Sequence, residues 1–200
     1  MIRVATHEDV PALAEVLLDA VASGASVSFM SDCSRPQAEA FFRKCLSDPL
    51  RIVIAALEGG RLEGTAQLIF DTPPNQPHRA ELAKMLVHRR ARGRGLGKAL
   101  FAAVCDEARA LGRTLINFDT VTDGPGERLY LACGAIKIGE IPDYALFPDG
   151  RLCATSIFYK RVRTRSNSSS PTASVVAAGP PRKGTRSGVR EPSRICSSTI

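Results

Sequence analysis

Apolar residues at Val10, Leu13, Ala14, Leu17, Leu18 and Val21 repeat at the three-to-four spacing of one helical face. Thr6 stands ahead of them as a cap, and Glu8 and Asp9 place negative charge in the first turn, where the helix dipole favours it. Pro36 opens a second helix whose stripe is Ala38, Phe41, Phe42, Cys45 and Leu46, closed by Pro49. A loop of small residues, Gly24-Ala25-Ser26-Val27-Ser28-Phe29-Met30, joins the two. The pattern then changes. Arg51 to Leu57 and Leu62 to Phe70 are apolar, β-branched runs on either side of Glu58-Gly59-Gly60-Arg61, which predicts a hairpin. The proline-rich stretch Pro73 to Pro77 forces a turn before a strand over Arg79 to Val87. A glycine-rich loop and a helix over Leu96 to Leu111 follow, then a strand over Thr114 to Val121. A short helix near Gly126 to Ala132 stops at Gly134. Strands at Ala135 to Ile141 and Cys153 to Lys160 flank a connection over Asp143 to Arg151, with a turn at Pro148-Asp149-Gly150. The predicted order is α, α, β, β, β, α, β, α, β, β, an α/β domain without internal repeats.

Composition divides the chain in two. With 44% hydrophobic residues in 200, there is enough apolar material for one core of about 150 residues. The net charge of +7 would ordinarily point to nucleic acid, but its location decides otherwise. Residues 161–200 hold eight basic side chains against one acid, Glu191, while residues 1–160 carry 19 of each sign. Of residues 164–200, 20 are Ser, Thr, Pro or Gly and none is aromatic, a composition that buries too little apolar surface to order itself. Residues 1–160 are therefore read as the folded domain and 161–200 as a basic disordered tail, to which no function is assigned; nucleic acid is not expected as a partner. Six cysteines lie 12 to 60 positions apart with no CxxC pair, which argues against a disulfide scaffold and a zinc ribbon, and no metal is expected. No leader pattern and no membrane-length apolar run occur, so a soluble cytoplasmic protein is expected.

The segment His88-Arg89-Arg90-Ala91-Arg92-Gly93-Arg94-Gly95-Leu96-Gly97-Lys98 joins a strand to an amphipathic helix. Successive backbone N–H groups at such a junction converge on an anion, and glycines let a phosphate approach the backbone. A Walker loop requires glycine five positions before Gly97 and Ser or Thr after Lys98, where Arg92 and Ala99 stand. The dinucleotide pattern read from Gly93 requires glycine at Lys98. Both fail, but four arginines within six positions still favour an anion.

Arg92-x-x-Gly95-x-Gly97 after Met85-Leu86-Val87 resembles motif A of the GNAT acetyltransferase superfamily, whose members bind acetyl-coenzyme A. Leu129-Tyr130-x-x-x-Gly134-Ala135 is similar to the family's later helix-and-strand motif, and Ile2-Arg3-Val4-Ala5-Thr6 with Asp9 to its opening. The likeness covers residues 1 to 160. It implies a mixed, mostly antiparallel central sheet flanked by helices, splayed between the strands ending at Val87 and starting at Thr114 to admit the pantetheine arm. More narrowly, Gly24 to Val27, Gln76 to Glu81 and Pro148 to Leu152 resemble the tabtoxin-resistance acetyltransferases, which act on a small amine-bearing β-lactam toxin. Asp123 stands where that pattern commonly has asparagine, and Gly126 where it has alanine.

The resemblance implies direct acetyl transfer from acetyl-CoA, in a ternary complex, to a primary amine of a small molecule of the amino-acid-like or β-lactam toxin or antibiotic kind. Acetyl-CoA would be held by Met85, Leu86, Val87, Arg92, Gly93, Arg94, Gly95, Gly97, Lys98 and Asp123. Tyr130 stands where the superfamily often places the phenol that protonates the departing thiolate. For the base, Glu81 is the first choice, with Asp119 on the adjacent strand or a water chain as alternatives. Arg79, whose fork suits a carboxylate, and Phe29 are candidate acceptor contacts. His78 is read as a turn residue, and Cys105 and Cys133 as small core residues. The rival functions are acetylation of a protein N-terminus or lysine, and acetyl-CoA sensing without catalysis. The assembly is expected to be a monomer or a homodimer.

Overall fold

A computed structural model describes residues 1–163. The elements are β1 (Ile2–Val4), α1 (Val10–Ala22), α2 (Arg35–Ser47), β2 (Arg51–Glu58), β3 (Arg61–Ile69), β4 (Arg79–Val87), α3 (Leu96–Ala110), β5 (Leu115–Val121), α4 (Pro125–Ala132), β6 (Ile136–Leu146) and β7 (Leu152–Arg161). The caps explain the helix starts. Thr6 and Asp9 form a reciprocal capping box, as do Ser34 and Gln37 ahead of α2. Lys160 Nζ donates to the carbonyls of Cys133 (2.9 Å) and Gly134 (3.0 Å), placing a cation on the C-terminal end of α4.

The seven strands lie in the order β1-β2-β3-β4-β5-β7-β6, and every neighbouring pair is antiparallel except β4 with β5. Each face of the sheet has its own core. One is built on α1 and α2 with Leu13, Leu17, Phe42 and Val53, the other on α3 and α4 with Leu68, Leu100, Ile116 and Phe158. Phe42 and Phe158 are both wholly buried, so truncating either to alanine costs about 3–5 kcal/mol.

Two elements depart from the sequence pattern. The chain begins with β1, paired to β2 at Ile2 and Ala56, where the pattern put the first element at the helix; three residues are too few to register a period. Strand β6 continues to Leu146 through an irregularity between Ile141 and Ala145, with Asp143 at φ 53, where a loop was expected. Strand β7 extends through Arg161, and Val162 is buried with its N–H donating to Thr114 O (3.0 Å). The rest of the basic tail lies outside the described residues. Among those residues, no helix is long and apolar enough to cross a membrane.

Candidate active site

Strands β4 and β5 pair in parallel at only three positions, Arg79 with Leu115, Ala80 with Ile116 and Glu81 with Asn117. Beyond Glu81 they part, so the β5-facing edge of β4 has no strand partner through Met85, Leu86 and Val87. An unpaired strand edge presents N–H and C=O groups in register for an extended ligand with amides of its own.

A bulge lies at the parting. Thr65 pairs with Leu86 and Gln67 with Ala83, leaving Ala66 opposite both Lys84 and Met85, with Lys84 at φ 48. The strand turns over there: Leu82 packs in the α3 and α4 core, whereas Leu86, four residues on, packs in the α1 and α2 core. Met85 and Val87 then pack toward α3.

In the loop after β4, three of the four arginines already have carboxylate partners. Arg89 is bound to Asp19, Arg90 to Glu63 (2.7 Å) and Glu15 (2.6 Å), and Arg94 to Glu58 (2.8 Å). Arg92 donates to Val87 O (3.1 Å) and Ser23 Oγ (3.1 Å), tying the loop to the end of β4. The arginines thus position the loop, with much of their charge already matched. What remains open is the backbone. Gly93 and Gly95 have φ of +78 and +84, with no atom within 4 Å of where a Cβ would lie, and no side chain caps α3. The first N–H groups of α3 therefore face open space. Lys98 is exposed in the same turn. Gly97 serves packing, since a Cβ there would come within 2.8 Å of Leu129 on α4.

Tyr130 lies on α4 under β5, nearly buried, its ring 4.6 Å from that of Phe118 and 5.6 Å from Phe101 between centroids. Burial pushes its phenol well above the usual tyrosine range, and the Asp119 charge adds to the shift. Burial likewise raises Asp119, against the pull of Lys84, and lowers Lys84, against the pull of Asp119. Ile116 and Phe118 point into the α3 and α4 core, so Asn117 and Asp119 project from the opposite face, as Glu81 does between Ala80 and Leu82. Lys84 Nζ donates to Ser28 Oγ (2.9 Å) on the same side. Glu81, Lys84 and Asp119 thus share one face at the parting strands.

The loop between α1 and α2 is fastened beside them. Ser26 Oγ donates to Leu146 O (2.7 Å), the Ser31 N–H donates to Pro148 O (3.2 Å), and the Phe29 ring meets Phe41 edge-on at 5.2 Å. Phe29 therefore anchors the loop on α2. Arg79 sits at the closed end of the β4 and β5 pair, two residues before the parting. Asp123, at φ 60 after β5, has its N–H held by Glu127 Oε2 (2.8 Å). His78 is an exposed turn residue whose carbonyl accepts from Thr114 (2.8 Å). Cys105 is a core residue, and Cys133 packs at the core's edge. Two residues were missed as site residues in the sequence. Asn117, beside Glu81, has a buried carbonyl oxygen without a partner, and Lys84 interrupts an otherwise apolar strand end. Among the described residues, no cluster of three His, Cys, Asp or Glu is suited to a metal ion.

Residues 18–135 match the acetyltransferase (GNAT) family, and the chain belongs to it. A curated relative, an uncharacterized N-acetyltransferase of the hisH-hisA intergenic region of Azospirillum brasilense, is 33% identical over 113 residues, 56% of this chain and 67% of that protein. Among solved structures, yncA from Salmonella typhimurium, a putative acetyltransferase with its cofactor acetyl-CoA, superposes with a TM-score of 0.68 at 21% identity, covering 87% of this chain and 98% of that one. A phosphinothricin acetyltransferase from Sinorhizobium meliloti in complex with acetyl-CoA gives 0.70 at 20% identity, covering 88% and 94%. A ribosomal-protein-alanine N-acetyltransferase from Brucella melitensis gives 0.70 at 23% identity, covering 80% and 99%. The chain is therefore an acetyltransferase of this family.

Proposed function

We propose that the enzyme acetylates a primary amine of a small molecule by direct transfer, at the face where Glu81, Lys84 and Asp119 meet. The observation that carries this reading is the fastened loop. Residues 24–31 are tied to Lys84 on one side and to Leu146 and Pro148 on the other, so the loop forms a fixed wall beside the acceptor face, which favours a small acceptor. The narrower likeness to tabtoxin-resistance enzymes supports it, because two of its three segments, Gly24 to Val27 and Pro148 to Leu152, belong to this fastening.

Bound acetyl-CoA supplies a thioester whose acetyl carbon is open to an amine and whose sulfur leaves as a thiolate. The open N–H groups at Gly95 to Lys98 hold its pyrophosphate, the free edge of β4 from Met85 to Val87 aligns its pantetheine, and Asp123 closes the far side. Asp119 is the proposed base: burial raises its carboxyl above the usual carboxylate range, which readies it to take a proton from the incoming amine, and Glu81 lies on the same face beside that amine. Tyr130 returns a proton to the departing sulfur. The two transfers are coupled. Protonation of Asp119 removes the lesser of the influences that hold the Tyr130 proton, while burial, the larger, remains.

Thiol release from acetyl-CoA across small amines, amino acids and β-lactam-like amines tests the reading. Saturable turnover of one class is expected. Turnover of peptide N-termini or protein lysines alone, or binding of acetyl-CoA without release from any amine, refutes it.

A further inference from the structure

Gly93 and Gly95 give the loop after β4 little stiffness of its own. Each can leave its present conformation at small cost, so the open N–H groups beyond them stay aimed only if the chain just before is held from outside. That chain is Arg89 to Arg92, and the last turn of α1 holds it. The Arg89 N–H donates to Asp19 Oδ2 (2.8 Å), its Nε donates to Oδ1, and its Nη2 donates to the Asp19 carbonyl (3.3 Å). Arg92 Nη2 donates to Ser23 Oγ (3.1 Å), which itself donates to Ala20 O (2.9 Å). Asp19 and Ser23, four residues apart, share one face of the helix end.

Asp19 stands where α1 itself disfavours an acid. Its side chain is only 7% exposed and lies in the last turn, beside the negative end of the helix dipole. Burial works against its charge, yet the bonds from the Arg89 backbone and side chain, with His88 Nε2 at 3.5 Å from Oδ1, hold the carboxyl below the usual carboxylate range. Among the described residues it is the one carboxylate that accepts from a backbone N–H between His88 and Lys98. The carboxylates of Glu15, Glu58 and Glu63 accept only from the guanidinium groups of Arg90 and Arg94.

We propose that Asp19 is a positioning residue for the donor: by gripping the Arg89 backbone, it fixes the loop after β4 so that the N–H groups at the start of α3 are set for the pyrophosphate. The inference rests on the pyrophosphate placement in the proposed function and deepens it. An acid thereby strengthens the binding of an anion, through the backbone it orders and against its own charge. On charge alone, removing Asp19 would favour a nearby phosphate, so the sign of the effect separates the two.

The test measures dissociation constants by calorimetry for acetyl-CoA, S-acetyl-4′-phosphopantetheine and S-acetylpantetheine, the last two by displacement of acetyl-CoA, with the melting temperature of each protein. The ratio between the last two isolates one phosphate of the pyrophosphate. The wild-type enzyme is expected to favour the phosphorylated form by about 10-fold or more, and Asp19→Ala to reduce that preference to about 2-fold or less with S-acetylpantetheine unchanged. Asp19→Asn keeps an acceptor for the Arg89 N–H but loses the charge; it should narrow the preference by about 3-fold, which carries the test if the alanine variant does not fold. Arg89→Ala keeps the backbone N–H and should retain most of the preference. A preference unchanged or larger in the Asp19 variants, or equal weakening of all three ligands, overturns the inference and leaves the pyrophosphate placement standing. A loss in Arg89→Ala as large as that in Asp19→Ala also overturns it, because the guanidinium itself would then hold the phosphate. A wild-type enzyme that binds the two pantetheine forms equally overturns this inference and the pyrophosphate placement together.

Discussion

Replacing Tyr130 by phenylalanine separates its chemistry from its packing. The ring contributes to a cluster with Phe101, Phe118 and Phe158 at centroid distances of 5.6, 4.6 and 6.0 Å, all of which phenylalanine reproduces. The hydroxyl makes no hydrogen bond to another described residue, so its removal takes no native bond away. The melting temperature of Tyr130→Phe should therefore stay within about 2 °C of wild type, while Tyr130→Ala should cost about 3–5 kcal/mol. For a domain of this size that corresponds to about 6–20 °C. Catalysis should respond in the opposite order of subtlety. Losing a general acid lowers kcat by about 10²- to 10⁴-fold, or about 3–5 kcal/mol of barrier, with acetyl-CoA affinity by calorimetry unchanged within a few-fold. Because burial raises the phenol, it remains protonated throughout the range from neutral to mildly alkaline, and any alkaline limb in that range must persist in the variant. A Tyr130→Phe enzyme that folds, binds acetyl-CoA and turns over at the wild-type rate would refute the assignment.

Three further perturbations probe the other parts. Burial raises Asp119, so kcat/KM should fall as pH drops through a value above the ordinary carboxylate range, and Asp119→Asn should abolish that limb while lowering kcat by about 10²-fold or more in steady-state assays. Gly95→Ala forces a side chain into φ +84, a strain of about 1–2 kcal/mol, and should weaken acetyl-CoA by about 10-fold in calorimetry and lower the melting temperature by about 2–8 °C. Arg3 hydrogen bonds hold the Asp9 carboxyl below its usual range; the stabilisation is complete above the unfolded carboxylate pKa of about 4 and is lost as pH falls through the lower folded value. Arg3→Ala should accordingly lower the melting temperature at pH 7, and the difference from wild type should shrink as pH falls below the ordinary carboxylate range.

Most of the framework could be read from local pattern because each element combines a period with a stop. The β4 boundaries follow from Pro77 before it and the glycine loop after it, and α4 from its apolar face and Gly134, which adopts φ +70 at its end. What escaped was set by partners distant in sequence. The arginines of the loop after β4 read as an anion site because Asp19, Glu15, Glu63 and Glu58 sit 27 to 75 positions away, and only the folded sheet brings them together. Likewise, Gly126 read as a departure from the family pattern, whereas a Cβ there would lie 2.5 Å from Thr120 Oγ1, so α4 and β5 approach closely because the side chain is missing.

The bulge at Lys84 follows from where a lysine can sit in β4. In the run Ala80 to Val87, alternation from Ala80 and Leu82 assigns residue 84 to the α3 and α4 core, a place that a lysine cannot occupy without losing its solvation. Met85 and Val87 occupy that core instead, one step out of phase, and the spare residue is absorbed where β4 leaves β5. A single inserted position thus frees the strand edge for the donor and turns the lysine toward the acceptor. The two halves of the site are therefore linked through one backbone irregularity. Deleting Lys84 to restore regular alternation should weaken acetyl-CoA binding and acceptor recognition together in calorimetry. Lys84→Gln should impair acceptor recognition alone, and equal damage to donor binding from both changes would break the link.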